Sequence, residues 1–287
     1  MKLGVVGMMP PDFRTITGRE LDAVRALKLT GVGFHIPGDT LATITSAACA
    51  RVRRTFQEAG MDLVQVGIGY RSCLFAPDDG ARNALVATIC RGLEVCRELG
   101  AHTCLIRTGS LNPAGPYSPD RANLTLASRE RLVESLRRIA DVAEAVGQTV
   151  VIETHLLTIM DSPETNREIL AAVASPHIQV VMDYVNHFQT LHQVYHSTAR
   201  LNHIFDVMGP ISGVGHCKDI RIGPGLVLHI DEAVPGEGEL DLATALRRWH
   251  HLYPDGYMLL EHLPDDQYPL ASRNVHRIAA EAGVPIT

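Results

Sequence analysis

The chain has 287 residues, with 26 Lys and Arg against 32 Asp and Glu and a formal net charge of −6. The two signs are interleaved and no basic tract occurs, so electrostatics gives no case for nucleic acid or an anionic membrane as partner. No run of about 18 apolar residues exists to cross a bilayer, and the length suits one α/β barrel of roughly 250 residues.

The chain opens on a candidate strand, 3–9, whose apolar run is broken by Gly4 and Gly7 and is too short for a leader. Thr17 is placed to cap a helix over 18–29. A second strand, 31–36, stops at Pro37-Gly38, and helical spacing over 40–59 stops at Gly60. Strand 62–69 is followed by helix 79–99, closed by Gly100, and strand 102–108 by a loop, 109–119, rich in Gly, Pro, Ser and Asn. Such a loop commonly covers a substrate. A long helix, 121–146, precedes Gly147. The remaining pairs are strand 149–154 with helix 163–173, strand 178–183 with helix 189–207, strand 211–216 with helix 240–250, and strand 257–262 with helix 268–282.

Eight strand–helix units in alternation predict a parallel sheet closed as a (β/α)8 TIM barrel, one domain over 1–287. An open doubly wound sheet would place a Gly-rich phosphate loop between a strand and a helix, and none is present. Gly31-Val32-Gly33 lies inside a strand and lacks the third glycine. The six cysteines form no Cys-x-x-Cys pair, as expected of reduced, mostly buried thiols in a cytoplasmic protein.

Four strand-like runs end on a group able to bind metal or move a proton. Val150-Val151-Ile152 runs into Glu153, Val180-Val181-Met182 into Asp183, Ile211–Gly215 into His216, and Tyr257–Leu260 into Glu261. They are spaced by about one βα unit each. A closed parallel barrel brings the carboxyl ends of its strands to one rim, so these four should converge. Three carboxylates brought together raise one another's pKa, and a cation relieves that cost. Three hard oxygen donors and one imidazole suit one divalent ion, Mn²⁺ first, then Mg²⁺, with Co²⁺, Fe²⁺ or Zn²⁺ as alternatives. Such an ion polarises a carbonyl, and a carboxylate beside it can take the α-proton to give an enediolate.

Around this set, His155 shares the side of Glu153 and is a candidate to orient a ligand or touch substrate. Lys218 alternates with His216 and is a candidate for a substrate oxygen, with an ion pair to Asp219 or Glu153 as the alternative. Arg107, ending strand 4, is a candidate for an anionic or hydroxylated substrate, with a rim salt bridge as the alternative. Asp161 and Glu164 suit capping of the next helix. Gly236-x-Gly238 reads as a turn rather than a phosphate loop. His250 and His251, on a helix, are assigned no chemistry.

The stretches Ile152-Glu153-Thr154-His155, Met182-Asp183-Tyr184-Val185-Asn186, Gly215-His216-Cys217-Lys218-Asp219, Gly236-Glu237-Gly238-Glu239-Leu240-Asp241 and Leu260-Glu261-His262 resemble the sugar isomerase/epimerase superfamily with a xylose isomerase-like barrel. The resemblance covers most of the chain and is best from about Leu105 to Glu261. It implies that Glu153, Asp183, His216 and Glu261 bind one divalent metal, and that Glu153 and Glu261 exchange the substrate proton from opposite faces. The epimerases carry a His three residues after the strand-6 Asp, where it touches substrate; here that position is Asn186, with His187 next to it. Arg221 matches a substrate-binding Arg of the epimerases with an offset of one residue.

The expected activity is metal-dependent isomerisation or epimerisation of a small keto-sugar or polyhydroxy carbonyl compound. The alternatives are a lyase or dehydratase acting on a keto-inositol or keto-glycoside, and, less favoured, a non-catalytic sugar-binding subunit. Endonuclease activity, found in a relative of the superfamily, would call for more ligands and a basic face. The resemblance also implies a homo-oligomer.

Overall fold

The computed structural model describes residues 1–287. Eight strands pair in parallel and close on themselves: β1 (Lys2–Val6), β2 (Gly31–Pro37), β3 (Asp62–Gly69), β4 (Thr103–Arg107), β5 (Thr149–Glu153), β6 (Ile178–Met182), β7 (Ser212–Cys217) and, after an inserted hairpin, β10 (Tyr257–Leu260). Closure is made by β1 on β10, with Lys2 opposite Tyr257 and Val5 opposite Leu260. The helices between strands are α1 (Gly18–Ala26), α2 (Ser46–Ala59), α3 (Asp79–Leu99), α4 (Leu126–Val146), α5 (Pro163–Val173), α6 (Leu191–Tyr195), α7 (Ser197–Met208), α8 (Leu242–Leu252) and α9 (Tyr268–Glu281). The expected (β/α)8 barrel is therefore the observed one, and no helix is long and apolar enough to cross a membrane.

The strand runs are apolar on both faces because both faces are covered. One face packs on the helices, in a continuous core of 71 buried residues. The helices contribute one stripe each: on α8 it is Leu242, Ala245, Leu246 and Trp249, the spacing of a single helical face. The other face fills the barrel with a separate cluster of eight buried residues, among them Leu105, Val151, Val181, Val214, Tyr257 and Leu259. Tyr257 fits inside because β2 offers Gly31 beside it: a Cβ there would stand 2.4 Å from the tyrosine ring.

Most helices stop where the sequence predicts, with Gly60, Gly100 and Gly147 in the left-handed region. Three predicted helices start later or are divided. The segment predicted from 40 is 3-10 over Gly38–Thr43, and α2 begins only after Thr45, whose side chain accepts from Ala48 N. Thr40 and Thr43 donate to the carbonyls of Pro37 and Thr40, which holds the turn in that tighter form. Thr125 likewise divides 121–146 into a 3-10 turn and α4. His196, at φ −114° and ψ 41°, separates α6 from α7 in the stretch predicted as 189–207. The largest addition is an antiparallel hairpin, β8 (Asp219–Gly223) and β9 (His229–Ala233), in a region with no predicted element.

Candidate metal centre

Side chains alternate along a strand, so a residue two places after an inward-facing one also faces inward. The barrel-filling cluster sets that phase. Leu105 is followed two residues on by Arg107, Val151 by Glu153, Val181 by Asp183, Val214 by His216, and Leu259 by Glu261. Register adds the lateral alignment: Arg107 stands opposite Glu153, Met182 opposite Gly215, and Leu259 opposite His216. The same alternation carries one further step from His216 to Lys218. Five strands thus deliver their polar ends to one depth of the mouth.

Glu153, Asp183, His216 and Glu261 are all buried, and one ligand atom from each lies within 4.8 Å of the others. Nδ1 of His216 is 2.6 Å from Oε2 of Glu261 and 3.4 Å from Oδ2 of Asp183. Neither contact is aligned as a hydrogen bond. Both Asp183 oxygens, Oε2 of Glu261 and Nδ1 of His216 are buried without a hydrogen-bond partner. Buried carboxylates crowded on one imidazole without aligned hydrogen bonds are expensive unless positive charge compensates them. Atoms bound to one cation at about 2.0–2.6 Å would have to converge in this manner, so the donor set fits one divalent ion of the hard or borderline kind.

On its far side the His216 ring meets Gln65, with Nε2 3.1 Å from Oε1. Gln65 is fully buried on β3. An Nε2–H donated to that amide leaves the Nδ1 lone pair for the carboxylate side, the arrangement that orients ligating histidines. Lys218 enters the cluster directly. Its Nζ is 2.8 Å from Oδ2 of Asp183 and 3.1 Å from Oε2 of Glu261. These partners differ from the predicted Asp219 or Glu153. Asp219 is occupied elsewhere, accepting from the backbone N–H groups of Ile220, Gly236, Gly238 and Leu240. It thereby fixes the Gly236-x-Gly238 turn, where Gly236 sits at φ 86°. A Cβ on Gly238 would lie 2.3 Å from the Asp219 carboxylate.

The charges act on one another. Burial works against the His216 imidazolium, but the carboxylates of Glu261 and Asp183 outweigh it and push its pKa up to about 10. Burial also works against the Glu261 carboxylate, but His216 and Lys218 hold its pKa well below the usual range. Glu153 goes the other way, raised by burial and by the charge of Glu261. Its own partner is Arg107, with Nε 3.3 Å from Oε2.

Arg107 also donates to the hydroxyl of Tyr117 and lies 5.4 Å from the centre of that ring. Tyr117 belongs to the loop expected to cover the mouth, and its ring lies 5.1 Å from that of His155. Beside the cluster is a cavity of about 760 Å³, lined by Tyr117, Glu153, His155 and Asn186 among others. Glu232 of β9 and His262 also line it, joined by a 3.1 Å contact. Arg221 is apart from this group: it is exposed on β8, opposite Asp231, and does not line the cavity. His187 is buried against Thr154 at 3.2 Å.

Gln65, Tyr117 and Glu232 have no place in the sequence reading. A lone amide inside the apolar run of β3 was the available sign of Gln65. Glu232 had only the weak hairpin pattern about Gly223-Pro224-Gly225, from which no element was predicted.

Residues 21–282 match the sequence pattern of the family described as the xylose isomerase-like TIM barrel. No curated protein matches the chain. Among solved structures, a D-psicose 3-epimerase from Clostridium cellulolyticum H10, with D-tagatose, is 16% identical, with a TM-score of 0.71 and 100% of both chains covered. A 3-keto-D-glucoside 4-epimerase from E. coli is 17% identical, with a TM-score of 0.69, over 98% of this chain and 99% of that one. A xylose isomerase-like TIM barrel protein from Mycobacterium smegmatis, in complex with magnesium, is 16% identical, with a TM-score of 0.72, over 98% of this chain and 96% of that one.

Proposed function

This chain belongs to the xylose isomerase-like TIM barrel family, and we propose that it is a divalent-metal-dependent isomerase or epimerase of a small keto-sugar or polyhydroxy carbonyl compound. The observation that carries the proposal is the convergence of Glu153, Asp183, His216 and Glu261 on one buried point at the barrel mouth. These four would hold the ion, Mn²⁺ or Mg²⁺ by donor hardness. When bound, a divalent cation supplies Lewis-acid polarisation of a carbonyl.

Glu153 and Glu261 are the proposed proton-transfer pair. They reach the mouth from strands on different sides of the barrel, β5 and β10. Their environments push their proton affinities apart, Glu153 up and Glu261 down. Such a split allows one carboxylate to hold a proton while the other is ionised. Lys218 and Arg107 lie against the two glutamates and would hold substrate oxygens, whose negative charge grows as the α-proton leaves. His155 and Asn186 line the cavity and would meet hydroxyl groups there. All four residues of the cluster come from this one barrel, read as a single domain over 1–287.

The test is metal removal. Chelation should abolish turnover, and Mn²⁺, Mg²⁺ or Co²⁺ should restore it; full turnover by a verified metal-free protein ends the reading. Reaction in D₂O then separates the chemistries. An isomerase or epimerase gives product of unchanged composition with deuterium at the reacting carbon. A product lighter by one water, or cleaved in two, assigns the same site to a lyase or dehydratase.

A further inference from the structure

Resting on the sugar reading above, we propose that the cavity beside Glu153 is a subsite for an apolar aryl substituent, so that the substrate is a sugar carrying an aromatic aglycone. Of the 15 residues lining the cavity, eight are hydrophobic. Glu153, His155 and Asn186 can meet sugar hydroxyls, but a hydroxyl turned toward Leu156, Leu157, Phe188 or Leu228 has no side-chain partner there, which is costly. The volume, about 760 Å³, falls in the upper part of the roughly 300–1,000 Å³ range of pockets that enclose drug-sized ligands.

The apolar residues come from the segments that supply the acid cluster. Glu153 is followed by Leu156 and Leu157, and Asp183 by Val185 and Phe188. The strand of His216 and Lys218 leads into the hairpin that presents Leu228 and Ile230. Each strand end thus offers a polar group at the mouth and an apolar pair beside it. Glu153 belongs to both, so the cavity is continuous with the cluster. Two further polar lining residues are tied to the cluster: Glu232 and His262 pair with each other, and both reach Lys218. That continuity favours part of the substrate as occupant. Leu156, Leu157 and Leu228 remain 37%, 39% and 47% exposed, surface that a ring could remove from water.

The test compares methyl and phenyl β-D-glucopyranoside binding to the metal-loaded full chain by calorimetry. The phenyl glucoside should bind at least ~10-fold tighter, the scale expected from burying one ring face. Leu157→Asp and Leu228→Asp, both at partly exposed positions, should each bring the ratio close to one while methyl glucoside affinity holds. Circular dichroism and melting confirm that the variants fold. Equal affinity for the two glucosides, or no binding of either, overturns the proposal. So does an unchanged ratio in variants whose sedimentation shows a lost oligomer, which assigns the apolar wall to a second copy of the chain. The outcomes are separable from the fate of the isomerase reading. Metal-dependent turnover without phenyl preference removes the subsite alone, and phenyl preference without metal-dependent turnover removes the isomerase alone.

Discussion

Glu261 lies beyond the four buried residues of β10, which fix its depth in the mouth. Its carboxylate touches both cations of the cluster, His216 at 2.6 Å and Lys218 at 3.1 Å. As a ligand it needs only an oxygen; as a base it needs its charge and its proton affinity. Glu261→Gln separates the two, because the amide keeps the shape and one oxygen donor. The variant should fold, bind metal more weakly, and at saturating metal lose at least ~10²-fold in kcat, the scale of a lost general base. Glu239→Gln is the control. That side chain is exposed on the nearby loop and accepts only from Ile222 N at 3.3 Å, so its loss should change kcat little. If Glu261→Gln keeps near wild-type kcat once metal is saturating, Glu261 is at most a ligand and the two-carboxylate transfer is wrong.

At the scale of elements, what the sequence makes legible is what local chemistry dictates. Apolar runs of β-formers and glycine stops gave the barrel strands and most helix ends, because Gly60, Gly100 and Gly147 each occupy the left-handed cap that glycine takes most easily. Helix α5 ends differently, on exposed Ala174 at φ 60° and ψ 41°. An L-residue there is strained, while glycine costs more chain entropy. Ala174→Gly should therefore raise stability by about 0.5–1 kcal/mol in urea titration; a loss of stability would show that the cap is not strained. Less legible was whatever depends on distant partners. Alternation put Lys218 on the face of His216, but its contacts, Asp183 and Glu261, lie on other strands. Gln65 meets His216 across the barrel, and nothing local in either segment encodes that. The β8–β9 hairpin did leave a trace, short mixed apolar and polar runs about Gly223-Pro224-Gly225, but neither strand pairs with the barrel sheet, and of their apolar residues only Ile220 is buried, so no strong apolar pattern is enforced.

For the whole molecule, the cluster couples folding to protons and metal at once. Buried ions cost several kcal/mol each unless paired, and here three carboxylates face Lys218, Arg107 and the His216 ring. Without metal, the His216 imidazolium helps hold them. Its pKa in the fold, about 10, is raised above the ordinary 6.5. That contribution to stability is fully present below pH 6.5 and is lost as pH rises through about 10. Metal needs the same nitrogen neutral, so binding at neutral pH must expel a proton. Affinity should then rise with pH across that window, by up to about tenfold per unit for one proton released. A ligand at 100 times its Kd stabilises the native state by about 2.7 kcal/mol. The melting-temperature increase caused by a fixed concentration of Mn²⁺ should therefore be small at pH 6 and grow through pH 7 and 8. Scanning calorimetry with and without Mn²⁺ at each pH measures it, and titration in two buffers of different ionisation enthalpy counts the proton. A metal-induced shift that stays constant or shrinks as pH rises would mean that His216 gives up no proton to the ion, and would remove it from the ligand set.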